Sequence, residues 1–257
     1  ARAGTDYPPE AIRRISESGV VLHLIQVPYL DVHSWALYEA GGLRQFVRHS
    51  TSGGLREMSI TGPEIPDQYL NGDGYHIACI LSDIQFTIVE RLRTANRVFT
   101  LDPDMRFLHE KQSQDVLKQM MPLLPFFLPS REQAEQLLGK DDPVEAARTF
   151  ADWGAEVVVI KLGARGSLVY LRGQQTMYHI PIYPAKAIDA TGAGDSFCGG
   201  FLAGYLASGD PVRAACYGTV SASFVVEHIG TLAMLDTDVS EAPMRLEHVW
   251  ARVEAVD

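Results

Sequence analysis

The chain is poor in the residues that build disulfides and metal sites. Its 257 residues include three cysteines, Cys79, Cys198 and Cys216, and no CxxC pair. An odd number of widely separated cysteines provides neither a disulfide framework nor the ligand spacing of a zinc site. The eight histidines form no HxxxH or HxH pair, which argues against a metal-dependent hydrolase. We therefore expect reduced cysteines in the core of a cytoplasmic protein.

Positive charge and long apolar runs are also missing. The 22 lysines and arginines against 32 acidic residues give a formal net charge of -10, which argues against a nucleic-acid partner. No run of apolar residues is long enough to span a bilayer, and Ala1 to Tyr7 show no signal-peptide pattern. We expect a single domain over residues 1–257 that is neither secreted nor embedded in a membrane.

Short apolar stretches alternate with helix-length ones, as in a parallel sheet covered by helices on both faces. The sequence thus predicts an α/β fold with a three-layer core. Helical spacing covers Ile84 to Thr94 and Lys111 to Met121, and Asp210-Pro211 begins a helix that we expect to run to His228, before Gly230. The predicted strands are Tyr75 to Leu81, Arg97 to Asp102, Leu124 to Leu128 and Glu156 to Leu162.

An antiparallel hairpin interrupts this pattern within residues 20–50. Ser34 to Ala40 and Leu43 to His49 read as two strands joined by a turn at Gly41-Gly42. Such a hairpin could close over a site as a lid or pair with a second subunit in a homodimer. The pattern does not choose between the two.

The stretch Asp189 to Phe197, DATGAGDSF, reads as a glycine loop that opens a helix. Gly192, Ala193 and Gly194 offer backbone amides with little side-chain obstruction, so the loop can wrap an anion at the positive end of the helix. Asp195 falls in the first helical turn, where the dipole favours an ionised carboxylate. A carboxylate beside an anion pocket suits a base that takes a proton from a hydroxyl attacking a bound phosphoryl group.

Two common nucleotide motifs do not account for this loop. Phe197 occupies the third glycine position of a GxGxxG fingerprint, and Gly139-Lys140 is followed by Asp141 where a Walker A motif has Ser or Thr. A tight turn with an Asp near a helix start is the simpler structural alternative.

The residues DATGAGDSFCGG from Asp189 to Gly200 resemble the C-terminal signature of the ribokinase-like (PfkB) carbohydrate kinase family. GARG at Gly163 to Gly166, DPDMR at Asp102 to Arg106 and PSREQAE at Pro129 to Glu135 follow that family's order and spacing. The resemblance implies an ATP-dependent kinase for a sugar hydroxyl, with a nucleoside kinase of the same family as the alternative. It also implies magnesium, bound mainly through phosphates and water, and leaves activation by a monovalent cation open.

The resemblance also assigns residues. It makes Asp195 the catalytic base beside the substrate, and Gly192, Ala193 and Gly194 the anion hole. Arg106 would contact the substrate, although Asp104 stands where the family has Asn. The residues implied in ATP binding are Lys161, Gly163, Gly166, Thr191 and Thr219. A plain hairpin turn is the alternative for the stretch from Gly163 to Gly166.

Two departures from the family stand out. Ser130 and Gln133 replace the Asn and Glu of its Asn-x-x-Glu pattern, and we expect them to form a capping box instead of serving the family's magnesium-linked water network. The N-terminal substrate-binding Gly-Gly-x-x-x-Asn segment is missing before Ala1. We expect either a truncated chain or a protein without the usual sugar pocket. A non-catalytic protein that binds a nucleotide or sugar phosphate is therefore the alternative from another class.

Overall fold

The computed structural model describes residues 1–38, 44–48, 52, 54–104 and 111–256. They divide into two compact units, Ala1–Thr61 and Gly62–Asp257. Within the described residues, no helix is long and apolar enough to cross a membrane.

The first unit contains the predicted hairpin. Strands β3 and β4 pair antiparallel, with Ser34 opposite Arg48 and Tyr38 opposite Arg44, so the two predicted hairpin strands are confirmed. The Gly41-Gly42 turn lies outside the described residues. Strands β1 and β2 form a short parallel pair. The elements of this unit are β1 Arg2–Ala3, α1 Pro9–Glu17, β2 Ile25–Gln26, β3 Ser34–Tyr38 and β4 Arg44–Arg48.

The second unit is built on a seven-stranded sheet in the order β11-β10-β9-β8-β7-β6-β5. Strands β5 to β8 are parallel, whereas β8 to β11 pair antiparallel, so five of the seven strands run in one direction. The four strands predicted in this unit are confirmed with shorter bounds. The strands are β5 Gly74–Ile77, β6 Val98–Leu101, β7 Phe126–Phe127, β8 Val157–Lys161, β9 Ser167–Leu171, β10 Thr176–Ile180 and β11 Glu254–Val256.

Seven α-helices accompany this sheet in the described residues. The predicted end of one was wrong, because α7 ends at Val225 and not at His228. The Val226 carbonyl accepts the amides of Ile188 and Asp189, and so it does not continue the helical ladder. The helices are α2 Ser82–Thr94, α3 Lys111–Met120, α4 Arg131–Leu138, α5 Pro143–Asp152, α6 Ala193–Ser208, α7 Pro211–Val225 and α8 Ala242–Trp250.

The sheet separates two apolar cores, as a three-layer α/β fold requires. Along β8, Val158 and Ile160 point to the core covered by α2 to α5, while Val157 and Val159 point to the core covered by α6 to α8. This alternation follows from the two-residue period of a strand. Both faces of β8 are buried, which explains the uninterrupted apolar run VVVI in the sequence.

Helices α6 and α7 pack at very short range through small residues. A Cβ on Gly200 would lie 2.6 Å from the Ser221 Cβ and 2.8 Å from the Tyr217 carbonyl oxygen. One turn later, a Cβ on Gly204 would lie 2.6 Å from the Tyr217 Cβ. The Ser196 and Ser221 hydroxyls are hydrogen-bonded at 2.7 Å. The start of α6 is thereby fixed to the middle of α7.

This packing predicts different effects on stability for the same substitution at two neighbouring glycines. We expect Gly200→Ala to lower the free energy of unfolding by about 1 to 3 kcal/mol, because the added methyl group would meet Ser221 and Tyr217. Gly199 is the matched control, since a Cβ there meets nothing within 4 Å. Gly199→Ala should be neutral or stabilising by up to about 1 kcal/mol. Urea unfolding of both variants measures the difference, and equal stabilities would contradict the close packing.

Candidate active site

Three residues from neighbouring strands meet at one edge of the sheet. Asp102 follows β6, Ser130 lies just after β7, and Lys161 is the last residue of β8. Ser130 and Lys161 form an isolated parallel bridge, so the two strand ends lie side by side. This is the carboxyl edge of the parallel strands, where ligands bind in open α/β sheets.

The glycine loop begins α6, as the sequence predicts. Gly192 is the N-cap residue and has a φ of 80°, a left-handed conformation that glycine adopts without strain. The loop is tethered on its other side, because the Ile188 and Asp189 amides donate to the Val226 carbonyl. A hydrogen bond of 2.9 Å from the Thr191 amide to Asp189 Oδ1 closes a turn and holds the pKa of that carboxyl below its usual range. The first-turn amides of α6 are thus held in one place.

Asp195 lies in the first turn of α6 with an exposed side chain. Within the described parts of the chain, its carboxylate accepts no hydrogen bond and has no cationic partner within salt-bridge distance. Gly194, just before it, is exposed as well. The carboxylate is therefore open to a substrate, and the predicted role as base has the access that it needs.

Lys161 extends from the sheet edge to the underside of this loop. Its ammonium donates to Asp102 Oδ2 and lies 3.4 Å from Cys198 Sγ on α6. A Cβ built on Gly194 would lie 3.7 Å from the Lys161 Nζ. The side chains of Lys161 and Asp102 are only 11% and 8% exposed, so this is a buried ion pair next to the anion loop.

The protonation states of this cluster follow from burial and charge. Burial by itself lowers the pKa of the Lys161 ammonium, but the charge of the Asp102 carboxylate and the hydrogen bond to it outweigh burial, and the pKa is raised above its usual value. Burial also raises the pKa of the Cys198 thiol to about 12, so the sulfur is a neutral thiol at neutral pH. Asp102 is consequently the counter-ion that keeps Lys161 charged.

Gln133 takes part in two sets of hydrogen bonds at the start of α4. The predicted capping box is confirmed. The backbone amide of Gln133 donates to Ser130 Oγ at 3.2 Å, and the backbone amide of Ser130 donates to Gln133 Oε1. The side-chain NH2 group of Gln133 also donates to Asp102 Oδ1 at 2.9 Å and to the Pro103 carbonyl at 2.6 Å. The sequence did not predict these hydrogen bonds to Asp102 and Pro103. Gln133 therefore holds the carboxylate that pairs with Lys161.

The predicted nucleotide loop follows β8 and turns into β9. Gly163 and Arg165 are exposed, whereas Gly166 is buried. A Cβ on Gly166 would lie 2.0 Å from the Ile180 carbonyl oxygen, and its φ of 85° also favours glycine. A glycine is thus required at 166 by the fold itself, and the turn joins two antiparallel strands as in the simpler alternative.

The remaining predicted site residues lie apart from this cluster or outside the described residues. Thr191 is exposed in the loop before α6. Thr219 is buried within α7 and is 6% exposed. Arg106 lies outside the described residues. The structure therefore brings together Lys161 and the loop from Gly192 to Asp195, while the roles of the others stay predictions.

Asp102, Cys198 and His76 complete the cluster and were not predicted as site residues. His76 in β5 binds the Thr100 hydroxyl through Nδ1 at 2.8 Å, and burial lowers its pKa. Asp102 could have been identified from its position at the end of a predicted parallel strand. It follows β6, and Lys161 ends β8, which is separated from β6 in the sheet by β7 alone. For Cys198 and His76, the sequence carries no such signal.

The described residues do not fit a metal ion held by protein ligands. They contain no group of three or more His, Cys, Asp or Glu side chains arranged to hold one. Gln133, at the position where the family has a glutamate, presents a neutral amide that is already hydrogen-bonded.

Comparison with known proteins identifies the family. Residues 69–238 match the family model described as pfkB family carbohydrate kinase. The chain belongs to that family. It is 30% identical over 205 residues to a cytidine kinase of Thermococcus kodakarensis, which covers 79% of this chain and 72% of the relative. This member is therefore a sugar or nucleoside kinase.

Solved structures share the fold of this pfkB-family kinase. A ribokinase of Arabidopsis thaliana complexed with ribose and ATP superposes with a TM-score of 0.76 at 18% identity, over 96% of this chain and 80% of that one. A nucleoside kinase of Burkholderia thailandensis in complex with inosine gives 0.76 at 16% identity, over 98% and 80%. These similarities confirm the ribokinase-like fold.

The turn after β8 yields a prediction about stability. We expect Gly166→Ala to destabilise the kinase by about 2 kcal/mol or more, because the methyl group would overlap the Ile180 carbonyl in a conformation that suits glycine. Gly163→Ala is the matched variant in the same turn. Its φ is 60° with open space around the Cβ position, so only the left-handed conformation should cost stability, by about 1 to 2 kcal/mol. Thermal unfolding of the pair tests the ranking, and a Gly166→Ala variant as stable as Gly163→Ala would contradict it.

Proposed function

We propose that this kinase transfers the γ-phosphoryl group of ATP to a hydroxyl of a small molecule, with Asp195 as the general base. The observation that carries the proposal is the exposed carboxylate of Asp195 in the first turn of α6, beside backbone amides that can receive an anion. The neighbouring Lys161 ammonium supplies positive charge, so that the carboxylate and a phosphoryl group can be held near each other.

At the γ-phosphorus the proposed reaction forms one bond and breaks one, and a proton moves from the acceptor hydroxyl to Asp195. The acceptor oxygen attacks the γ-phosphorus, the bond from that phosphorus to the β,γ-bridging oxygen breaks, and ADP leaves. The hydroxyl proton passes to the Asp195 carboxylate. The amides of the Gly192–Gly194 loop stabilise the negative charge on the oxygens of the phosphoryl group as it moves. The remaining predicted ATP contacts are Gly163, Gly166, Thr191 and Thr219.

Two acceptor classes follow from the comparisons. A sugar is the first candidate, because the matching family model describes carbohydrate kinases. A nucleoside is the second, because the cytidine kinase of T. kodakarensis matches 79% of this chain. Both classes present a hydroxyl of similar acidity, so the base and the anion loop serve either. A panel of sugars and nucleosides, assayed for ADP release, separates them.

Magnesium is proposed to be bound mainly through the phosphates and water. It neutralises part of the triphosphate charge when bound. Running the same panel with and without K⁺ tests activation by a monovalent cation. A chain that binds ATP but releases no ADP with any acceptor would favour the non-catalytic alternative.

The base assignment predicts a large effect from one atom replacement. Asp195→Asn keeps the shape of the side chain but removes the proton acceptor, so we expect turnover to fall roughly 100- to 10,000-fold with ATP binding little changed. Asp152→Asn is the matched control, because Asp152 is an exposed carboxylate at the end of α5, away from the loop. Steady-state turnover and calorimetric ATP binding of both variants decide the matter. An Asp195→Asn variant with most of its turnover would refute the assignment.

A further inference from the structure

One of the three N–H donors of the Lys161 ammonium has no acceptor within the described residues. An ammonium group carries three N–H donors. Those of Lys161 reach Asp102 Oδ2 and the Cys198 sulfur, and in the described part of the chain no third acceptor is hydrogen-bonded to it. The group also lies 3.7 Å from the Cβ position of Gly194, in the loop that offers backbone amides to an anion. A phosphoryl oxygen in that loop is the acceptor that this geometry suits.

The carboxylate facing Lys161 is itself held on both oxygens. Oδ2 of Asp102 accepts from Lys161, and Oδ1 accepts from Gln133 Nε2 at 2.9 Å. Gln133 is fixed in turn by the Ser130 amide and the Pro103 carbonyl. Asp102 and Gln133 are both buried, so these hydrogen bonds are shielded from water. The result is a continuous polar chain from the cap of α4 to the anion loop of α6.

We infer that Asp102 and Gln133 act on the phosphoryl group transferred in the Gly192–Gly194 loop through Lys161, whose remaining N–H donates to that group. Asp102 and Gln133 are positioning residues in this scheme. Asp102 keeps the ammonium charged, and Gln133 keeps Asp102 oriented. This inference rests on the proposed function, which already includes Lys161, and adds Asp102 and Gln133 as positioning residues.

The charged groups around Lys161 determine how its pKa should change when the Asp102 charge is removed. The titratable groups around Lys161 are Asp102 after β6, Cys198 on α6 and His76 on β5, and the charge of Asp195 on α6 acts on the last two. The thiol of Cys198 is neutral, and burial lowers the pKa of His76, so both are uncharged at neutral pH. Without the Asp102 charge, desolvation dominates, and the pKa of Lys161 should fall below its ordinary value.

The direction of the pH effect follows from that fall. In the wild-type kinase the pKa of Lys161 is raised above its ordinary value, so the ammonium stays charged throughout the usual assay range. In Asp102→Asn the ammonium should lose its proton as pH rises through the lowered pKa. Activity that needs the charged form should then be present at low pH and lost at high pH. A pair that serves only to hold the sheet edge together predicts no such limb.

The main experiment is a pH profile of kcat/KM for ATP between pH 6 and 9.5. We expect Asp102→Asn to show a falling limb at alkaline pH that the wild type lacks, approaching tenfold per pH unit. The double variant Asp102→Asn, Lys161→Met should be uniformly slow with no such limb. A loss in Asp102→Asn that is the same at every pH, or a limb that survives in the double variant, overturns the inference.

A binding measurement tests the donor without relying on turnover. We expect Lys161→Met to bind ATP roughly 10- to 100-fold more weakly, since it lacks a charged hydrogen bond to phosphate. Calorimetry with ATP measures this even if no acceptor is phosphorylated, so failure of the inference and failure of the proposed function are distinguishable. Unchanged ATP affinity together with unchanged kcat in Lys161→Met overturns the inference. If Lys161→Met does not fold, the Asp102→Asn profile decides.

Gln133 offers a variant that separates orientation from charge. Gln133→Leu removes the donor to Asp102 Oδ1 and leaves the Asp102 charge, so we expect lower turnover with no new pH limb. Ser130→Ala is the control for damage to the helix cap, because it removes the hydroxyl that accepts the Gln133 amide and leaves the contact to Asp102. It should lose stability of about 1 kcal/mol and lose less turnover than Gln133→Leu. Equal turnover in the two variants would show that Gln133 acts only through the cap.

Discussion

The Lys161 ammonium is held almost entirely away from water, and this is tolerable only because Asp102 faces it. Removing one partner of a buried ion pair leaves an uncompensated charge, which is strongly destabilising. The pair also joins elements distant in sequence, since Asp102 follows β6, Lys161 ends β8 and Cys198 lies on α6. The position of the anion loop at the sheet edge thus depends on the buried ion pair of Lys161 and Asp102.

The direction of that loop is set by packing from the other side. Gly200 and Gly204 allow α6 to approach α7 at a distance that any Cβ would prevent. The Val226 carbonyl at the end of α7 receives the two amides that precede the loop. Both constraints come from α7, so one helix fixes the entry to the loop and the helix that leaves it. First-turn amides held in this way need little rearrangement to receive charge, which is the physical basis of preorganised electrostatic stabilisation.

The sequence predicted the elements that carry strong local signals. The parallel strands read as short apolar runs because both of their faces are buried, and the capping box at Ser130 and Gln133 is a local pattern. The glycine loop was recognisable because its residues are adjacent in the chain. Strands β10 and β11 were missed. The buried residues of β10, Met177 and Ile180, are three positions apart and so do not show the two-residue alternation of a strand. Strand β11 begins with an exposed acidic residue and lies far along the chain from its partner.

Side-chain partners were harder to predict than elements. Lys161 was expected at the nucleotide loop because of its neighbours in sequence, yet its partner Asp102 lies 59 residues away. Similarly, Gly166 was expected among the residues that bind ATP, and nothing in the sequence indicated that the Ile180 carbonyl leaves no room for a side chain there. Contacts of this kind depend on which strands are neighbours in the sheet. No pattern within one segment contains that information.

The glutamine at 133 makes sense only in terms of these partners. Its NH2 group lies 2.9 Å from Asp102 Oδ1, so a glutamate there would set two carboxylates against each other with Lys161 as their shared counter-ion. Like charges at such a distance disfavour ionisation of both groups. A neutral donor instead gives Asp102 a hydrogen bond without adding a second negative charge beside Lys161. The replacement of the family's acid by an amide and the presence of a buried lysine are therefore coupled: together they place a fixed positive charge beneath the loop that we propose receives the phosphoryl group.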